Sequence, residues 1–311
     1  MERYINSFAT ENDIQIALEN GELLKPYVAY IEDADRIDWN SKTKIVDYTT
    51  EYLTFNITSN GNINVPTGTT YSINGAEWEN TGTTITVNSG ETIRFKGNNS
   101  TYDNNAFNGS TAGFEVEGNI MSLIYGDNFK NNSTISSDYA FVGLFRDCEG
   151  LTSAENLILP ATTLANYCYG SMFGGCTSLT TAPELPATTL ARGCYQYMFQ
   201  GCTKLITAPA LPATDLAEAC YVSMFAGCTS LTTAPELPAT TLADSCYDSM
   251  FQDCASLNYI KCLATDISAS DCTIDWLNGV ASTGTFVKNP NMTSWETGTS
   301  GIPTGWTVQD A

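Results

Sequence analysis

CTSLTTAPELPATTLA occupies Cys176–Ala191 and recurs without a change at Cys228–Ala243. Two columns of cysteines and a Met-Phe pair repeat at a step of 26 residues: Cys168, Cys194, Cys220 and Cys246; Cys176, Cys202, Cys228 and Cys254; Met172–Phe173, Met198–Phe199, Met224–Phe225 and Met250–Phe251. A fixed period of about 20 to 50 residues is typical of proteins whose units bury their apolar faces against their neighbours. The sequence therefore predicts stacked repeats.

The repeat register extends beyond these copies. CTIDWLNGV at Cys272–Val280 lies one further step along, and AFVGLFRDC at Ala140–Cys148 matches CYGSMFGGC at Cys168–Cys176 after a shift of 28 residues. We count about six units, which begin near Ala140 and end near Val280.

Each unit is predicted to contain a helical segment and a strand. In TTLADSCYDSMFQDC, Thr240–Cys254, the apolar residues are spaced by 4, 1, 3, 1 and 3, as on one face of an α-helix. SLTTAPELP, Ser178–Pro186, is short, Thr-rich and closed by prolines, which favours an edge strand. The predicted fold is multi-module: a β-rich N-terminal region, an α/β solenoid of about six 26-residue rungs, and a C-terminal cap.

The repeat also resembles a known family. CYxxMFxGCTSLTTAPELPATTLA is similar to the BspA-like leucine-rich repeats, whose usual form is an Ala-Phe-x-x-Cys-x-x-Leu core followed by a strand and a proline. AFVGLFRDCEGL at Ala140–Leu151 is especially close. In that family the repeats form curved solenoids on surface proteins that bind other proteins or host cells. The resemblance implies a leucine-rich-repeat solenoid with a binding surface, although the 26-residue period departs from the family's usual form.

The sequence divides into four parts: 1–45, a helix-strand attachment unit; 46–137, a β-rich, sandwich-like spacer; 138–281, the repeats; and 282–311, a cap. The first part has a capped apolar segment that stops at Gly21, followed by the alternating PYVAYIED. The second contains alternating runs separated by Asn-Gly and Ser-Gly turns: YLTFNIT, NINVP, TTYSING, TITVNS, ETIRFKG and GFEVEGNIMSLIYG.

The two ends of the chain indicate the kind of assembly to which the protein belongs. Phe8–Ser41 and Thr283–Val308 resemble segments found around such repeats in gut Bacteroidetes and in their phages and prophages. This resemblance implies a modular structural or attachment protein of a virion or an extracellular surface. The start lacks a basic region followed by an apolar one, and no stretch approaches the roughly 18 apolar residues of a membrane helix. We therefore expect no Sec signal peptide, lipid anchor or membrane insertion.

Charge and composition exclude several functions. Against 34 Asp and Glu the chain has 13 Lys and Arg, for a net charge of −21, which argues against nucleic acid and anionic membranes as partners. The chain has no histidine, which excludes Ser-His and Cys-His catalysis and Cys-His zinc sites. We expect no enzymatic activity, no cofactor and no metal, although a carboxylate pair of the glycosidase type stays open.

Two further groups of residues are candidate sites. The cysteines are interpreted as small buried residues in two columns, with disulfides and a Cys₄ metal site as the alternatives. EDADRID at Glu32–Asp38 could offer oxygen ligands to Ca²⁺, but it lacks the glycine and the terminal glutamate of a calcium loop. We interpret it as a solvated turn.

Recognition is expected where the repeats differ. The columns between the core positions vary from copy to copy and should point outward, and Tyr and Arg are favoured in interfaces. We define an outer face by eight of these residues: Tyr167, Arg192, Gln196, Tyr197, Gln200, Glu218, Asp244 and Asp248. The predicted function is attachment to a protein or glycan on a cell, with residues 1–45 joining other subunits of a larger assembly. The alternatives are a purely structural virion component whose repeats self-assemble, and a bacterial adhesin.

Overall fold

The computed structural model describes residues 47–80, 82–293 and 295–311, together with the backbone of three short strands nearer the N-terminus. The chain forms two compact units, Met1–Glu51 and Tyr52–Ala311. Described helices are few and short, and the described strands form four small sheets.

The first unit contains an antiparallel sheet of three strands, β1 (Val28–Ala29), β2 (Arg36–Asp38) and β3 (Thr43–Ile45). The strand predicted within PYVAYIED is present as β1. The helix predicted before Gly21 lies outside the described residues. Of the carboxylate segment EDADRID, the structure describes only the last three residues, which form β2 rather than a turn.

The second unit begins with two sheets. Each of the six alternating runs contains a strand: β4 (Leu53–Ser59), β5 (Gly61–Asn64), β6 (Thr69–Ile73), β7 (Thr84–Val87), β8 (Thr92–Gly97) and β9 (Gly113–Asn119). Strands β5 and β7 pair with each other, and the others join a sheet of order β10-β9-β4-β8-β6, in which β10 is Leu151–Ile158. Helix α1 (Ser122–Tyr125) and a 3-10 helix (Gly126–Asn131) follow β9.

The sheets and the repeats share one core. Strand β10 belongs to the first repeat and pairs in parallel with β9, with Leu151 opposite Phe114. The loop before β9 also bonds to the first repeat, because the N–H groups of Tyr102 and Phe107 donate to the carbonyls of Ala140 and Leu144, each at 3.1 Å.

The repeats are built from turns, so the predicted α/β leucine-rich-repeat solenoid is wrong. No helix occurs among the described residues after Asn131. In the segment that was predicted to be helical, the N–H of Met172 donates to the carbonyl of Tyr169 within its own turn at 3.2 Å. The N–H of Phe173 donates instead to Met198 in the next repeat at 2.9 Å. We call these hydrogen-bonded turns, residues 139–281, the turn stack.

A backbone period of four residues explains the misleading apolar pattern. Residues with positive φ recur every fourth position, as at Tyr167 (55°), Ser171 (54°) and Gly175 (75°). Left-handed residues interrupt an α-helix, and each one here starts another turn. Buried residues follow these positions: both Cys168 and Tyr169 point into the core after Tyr167, whereas after Gly175 only Cys176 does and Thr177 is exposed. Pairs of apolar residues four apart fit both an α-helix and this series of turns.

Two columns of stacked rings run through the turn stack. Their centroids are 5.4–6.3 Å apart. The first column contains Tyr102, Phe141, Tyr169, Tyr195, Tyr221, Tyr247, Trp276 and Trp295. The second contains Phe107, Phe145, Phe173, Phe199, Phe225 and Phe251. Buried aromatic side chains remove large apolar surfaces from water, so these columns contribute strongly to the stability of the repeats.

Proline decides where the repeats form full strands. The predicted strand SLTTAPELP shows only single bridges, such as that between Thr181 and Thr207, because Pro183 has no N–H to donate to a ladder. The first repeat has no proline within β10, and β11 (Tyr259–Cys262) in a later repeat has none either. Both form continuous strands.

The C-terminal residues close the stack. Strands β11, β12 (Thr285–Lys288) and β13 (Thr307–Asp310) form a parallel sheet in that order. Trp295 stacks on Trp276 with ring centroids 5.5 Å apart, and the indole N–H of Trp306 donates to the carbonyl of Ala281 at 2.8 Å. The last repeat is thus covered by aromatic side chains.

Tyr195→Phe is expected to raise the free energy of unfolding by about 1 kcal/mol, because an unpaired buried hydroxyl is costly. Its hydroxyl is buried in the first ring column and has no hydrogen-bond partner. Urea denaturation measures the change. Tyr102→Phe is the matched control, since the Tyr102 hydroxyl donates to the carbonyl of Leu123 at 2.6 Å and its loss should destabilise. A destabilised Tyr195→Phe would mean that this hydroxyl does have a partner.

Candidate interaction face

The turn stack places the eight predicted residues on its outer edge. Two residues of each four-residue turn point inward, and the outer face comes from the other two. Four members of the outer face are exposed: Arg192, Gln200, Glu218 and Asp244. The other four are partly buried: Tyr167, Gln196, Tyr197 and Asp248.

Arg192, Glu218 and Asp244 of the outer face lie in one column with Asn166, and side chains of this column join neighbouring repeats. Asp138 Oδ1 accepts a hydrogen bond from the N–H of Asn166 at 3.0 Å, and Asn166 Oδ1 accepts one from the N–H of Arg192 at 3.2 Å. Further along, Asp244 Oδ1 accepts from the N–H of Ser270 at 2.9 Å. A side chain in one repeat therefore binds the backbone of the next.

Arg192 and Glu218 form an ion pair across two repeats. The guanidinium Nη2 lies 2.9 Å from Glu218 Oε1, and the two side chains are 56% and 51% exposed. An exposed pair of this kind contributes at most about 1 kcal/mol to stability. Both groups can therefore exchange this contact for one with a partner at little cost.

Tyr167 forms an aromatic pair with Tyr139, of which the sequence analysis identified only Tyr167. Its ring stacks on Tyr139, with centroids 4.9 Å apart and planes inclined by 5°. Tyr139 is 49% exposed. The Tyr167 ring also lies over Gly193, where a Cβ atom would come within 2.3 Å of it. Tyr139 was missed, although the shift of 28 residues that aligns the first repeat places it in the column of Tyr167.

The remaining members of the face combine structural bonds with free side-chain surface. The backbone carbonyls of Gln196 and Gln200 accept hydrogen bonds from the N–H groups of Ser171 and Gly175, at 2.8 and 2.7 Å. These bonds hold the backbone of both glutamines against the preceding repeat. Tyr197 has a φ of 57°, so its backbone begins a turn.

The cysteines lie in the core, as the buried-column interpretation predicted. All eleven are buried and free. The Cys176 thiol donates to the carbonyl of Phe145 at 3.0 Å, and Cys202 makes the equivalent contact with Phe173 at 3.1 Å. Burial raises the pKa of Cys176 to about 12, so this thiol stays protonated at neutral pH.

Comparison of the chain with family models, with curated proteins and with solved structures finds no match. The resemblance to BspA-like proteins and the functions it implies stay predictions. Within the part of the chain that the structure describes, no helix has the length and apolar character needed to cross a membrane.

Proposed function

We propose that this chain is a non-enzymatic attachment protein that presents the outer face to a protein or glycan on a cell surface, as part of a virion or cell-surface assembly. In this proposal residues 1–45 join the other subunits. One observation carries it: a rigid frame of nearly identical core residues bears outward side chains that differ between repeats. A fixed backbone lowers the ordering cost of binding.

The charges on the outer face indicate which partner surfaces would complement it. Arg192 is its single cation, whereas Glu218, Asp244 and Asp248 are acidic. A partner surface with cationic groups beside the acids and an acceptor near Arg192 would complement it. The absence of histidine from the sequence supports a binding role over Ser-His or Cys-His chemistry.

A structural role in an assembly is the second candidate. Strand β13 lies at the edge of its sheet, and all four of its residues are exposed. An exposed sheet edge can pair with another strand, including one from a second copy of the chain. Concentration-dependent self-association without binding to cells would favour this role.

Arg192→Ala and Tyr197→Ala are each expected to weaken binding of the full chain to intact gut bacterial cells at least about tenfold, because truncating a central interface anchor costs about 2 kcal/mol or more. Saturation binding with labelled protein measures the change. Lys204→Ala is the control, since it removes the same charge from an exposed residue outside the outer face. Saturable binding that all three variants retain would place recognition elsewhere, and no binding across a broad cell panel would contradict attachment.

A further inference from the structure

One strand edge at the C-terminal end of the turn stack is left open. Strand β13 is the last strand of the sheet β11-β12-β13, and within the described residues no strand pairs with its other side. All four of its residues, Thr307–Asp310, are exposed. The backbone groups on such an edge can form hydrogen bonds with a further strand.

The hydrogen bonds of β13 show which of its backbone groups face outward. The N–H groups of Thr307 and Ala311 donate to carbonyls on the β12 side, each at 2.8 Å. Successive residues of a strand in a parallel sheet form their hydrogen bonds alternately to one side and to the other. The N–H and carbonyl groups of Val308 and Asp310 therefore point away from β12, into solvent.

Strand β13 has none of the features that usually protect a sheet edge. Proline, unpaired lysine and β-bulges commonly block the addition of a strand. Strand β13 contains neither proline nor lysine, and its register with β12 is continuous over all four residues. Its one charged side chain, Asp310, forms an ion pair with Lys288. The edge is therefore open to a further strand and locally neutral.

The side of β13 that continues the core is also uncovered. Ile260, Phe286 and Val308 are register partners in β11, β12 and β13, so their side chains lie on the same face of the sheet. Ile260 and Phe286 are fully buried, whereas Val308 is 44% exposed. A strand added beside β13 would remove part of this apolar side chain from water.

The other end of the turn stack does not supply this strand. Strand β10 of the first repeat already pairs with β9, and β9 pairs with β4. A second copy therefore cannot add its first repeat to β13 and so extend a fibre head to tail. Two copies of β13 can pair with each other about a two-fold axis, which gives a closed dimer.

We propose that β13 pairs in antiparallel orientation with β13 of a second copy, with Gln309 on the two-fold axis. In this register Val308 of each chain lies opposite Asp310 of the other, and the two residues exchange both backbone hydrogen bonds. The two Gln309 side chains face each other, and an amide can both donate to and accept from its own copy. An axis on Asp310 would instead set two carboxylates against each other.

The dimer is expected to be weak and to depend on protein concentration. A strand edge of four residues buries little area, and each chain has a net charge of −21. The dimer rests on the structural role given above as the second candidate, and it goes beyond that role by fixing the partner strand and the register. It requires no binding by the outer face.

Disulfide cross-linking tests the register. Gln309→Cys is expected to link two chains when diamide, a thiol oxidant, takes up the two thiol hydrogens. Opposite residues of a non-hydrogen-bonded pair have Cα atoms about 4.5 Å apart, within the range of a disulfide. Thr307→Cys is the matched control, since it lies on the same face of β13 but opposite Ala311 of the other chain, and should not cross-link. All eleven native cysteines are buried, so the unsubstituted chain provides the baseline in non-reducing electrophoresis.

Sedimentation of the full chain at increasing concentration measures the dimer without a cross-link. Gln309→Lys is expected to weaken dimerisation at least about threefold, because like charges directly opposite each other repel. Thr307→Lys adds the same charge away from the axis and should have a smaller effect. Arg192→Ala should leave the dimer unchanged, so a loss of cell attachment and a loss of dimerisation are distinguishable. A chain that stays monomeric at every concentration, equal cross-linking of both cysteine variants, or a dimer that Gln309→Lys leaves intact would overturn the proposal.

Discussion

Phe199→Ala is expected to lower the free energy of unfolding by about 3–5 kcal/mol, the usual cost of deleting a fully buried phenylalanine. The Phe199 ring is fully buried. It stacks between Phe173 and Phe225, with centroids 5.4 and 5.6 Å away. Alanine would remove both stacking contacts and leave a cavity between two repeats. Urea denaturation followed by tryptophan fluorescence and circular dichroism measures the loss.

Gln200→Ala is the control for this substitution. Gln200 is the next residue along the chain, and its side chain is exposed, so its truncation should change stability by no more than about 0.5 kcal/mol. Each repeat contacts chiefly its neighbours. A weakened layer in the middle can therefore let the repeats before Phe199 and those after it unfold in separate transitions. Equal, small effects of both substitutions would mean that the second ring column does not hold the repeats together.

The core of the repeats could be predicted from the sequence, but its backbone could not. The 26-residue step correctly placed the cysteine and Met-Phe columns in the interior. Hydrophobic periodicity then favoured a helix, because apolar pairs four residues apart fit an α-helix almost as well as a series of four-residue turns. The distinguishing signal is the glycine that precedes a cysteine in three successive repeats, Gly175, Gly201 and Gly227, because glycine alone adopts a positive φ without strain.

The outer face and the contacts within the β-rich part differ in how far the sequence could reveal them. The outer face follows from the repeat register alone, because residues one step apart lie in adjacent layers, as Asn166 and Arg192 do. The β-rich part depends on contacts between distant segments, such as that of the Asn64 amide with the carbonyl of Asn108. Strand pairing creates those contacts, and no short motif in the sequence records them.

Gly201→Ala is expected to lower the free energy of unfolding by about 1–2 kcal/mol, the cost of placing a Cβ atom in the left-handed region. Gly201 has a φ of 73°. An added Cβ would meet nothing closer than Gly175 at 3.8 Å, so steric crowding contributes little and the backbone conformation decides the result.

The sign of this change distinguishes the turn stack from a helix. In a helix interior the same substitution would stabilise the protein by about 1 kcal/mol, because glycine is the poorer helix former. Gly174→Ala is the matched control: its φ is not positive, and Ala226 already occupies the equivalent position two repeats later. It should be neutral or slightly stabilising, since alanine restricts the unfolded chain. Stabilisation by Gly201→Ala in urea denaturation would contradict the left-handed turn and restore the helical interpretation of the apolar stripe.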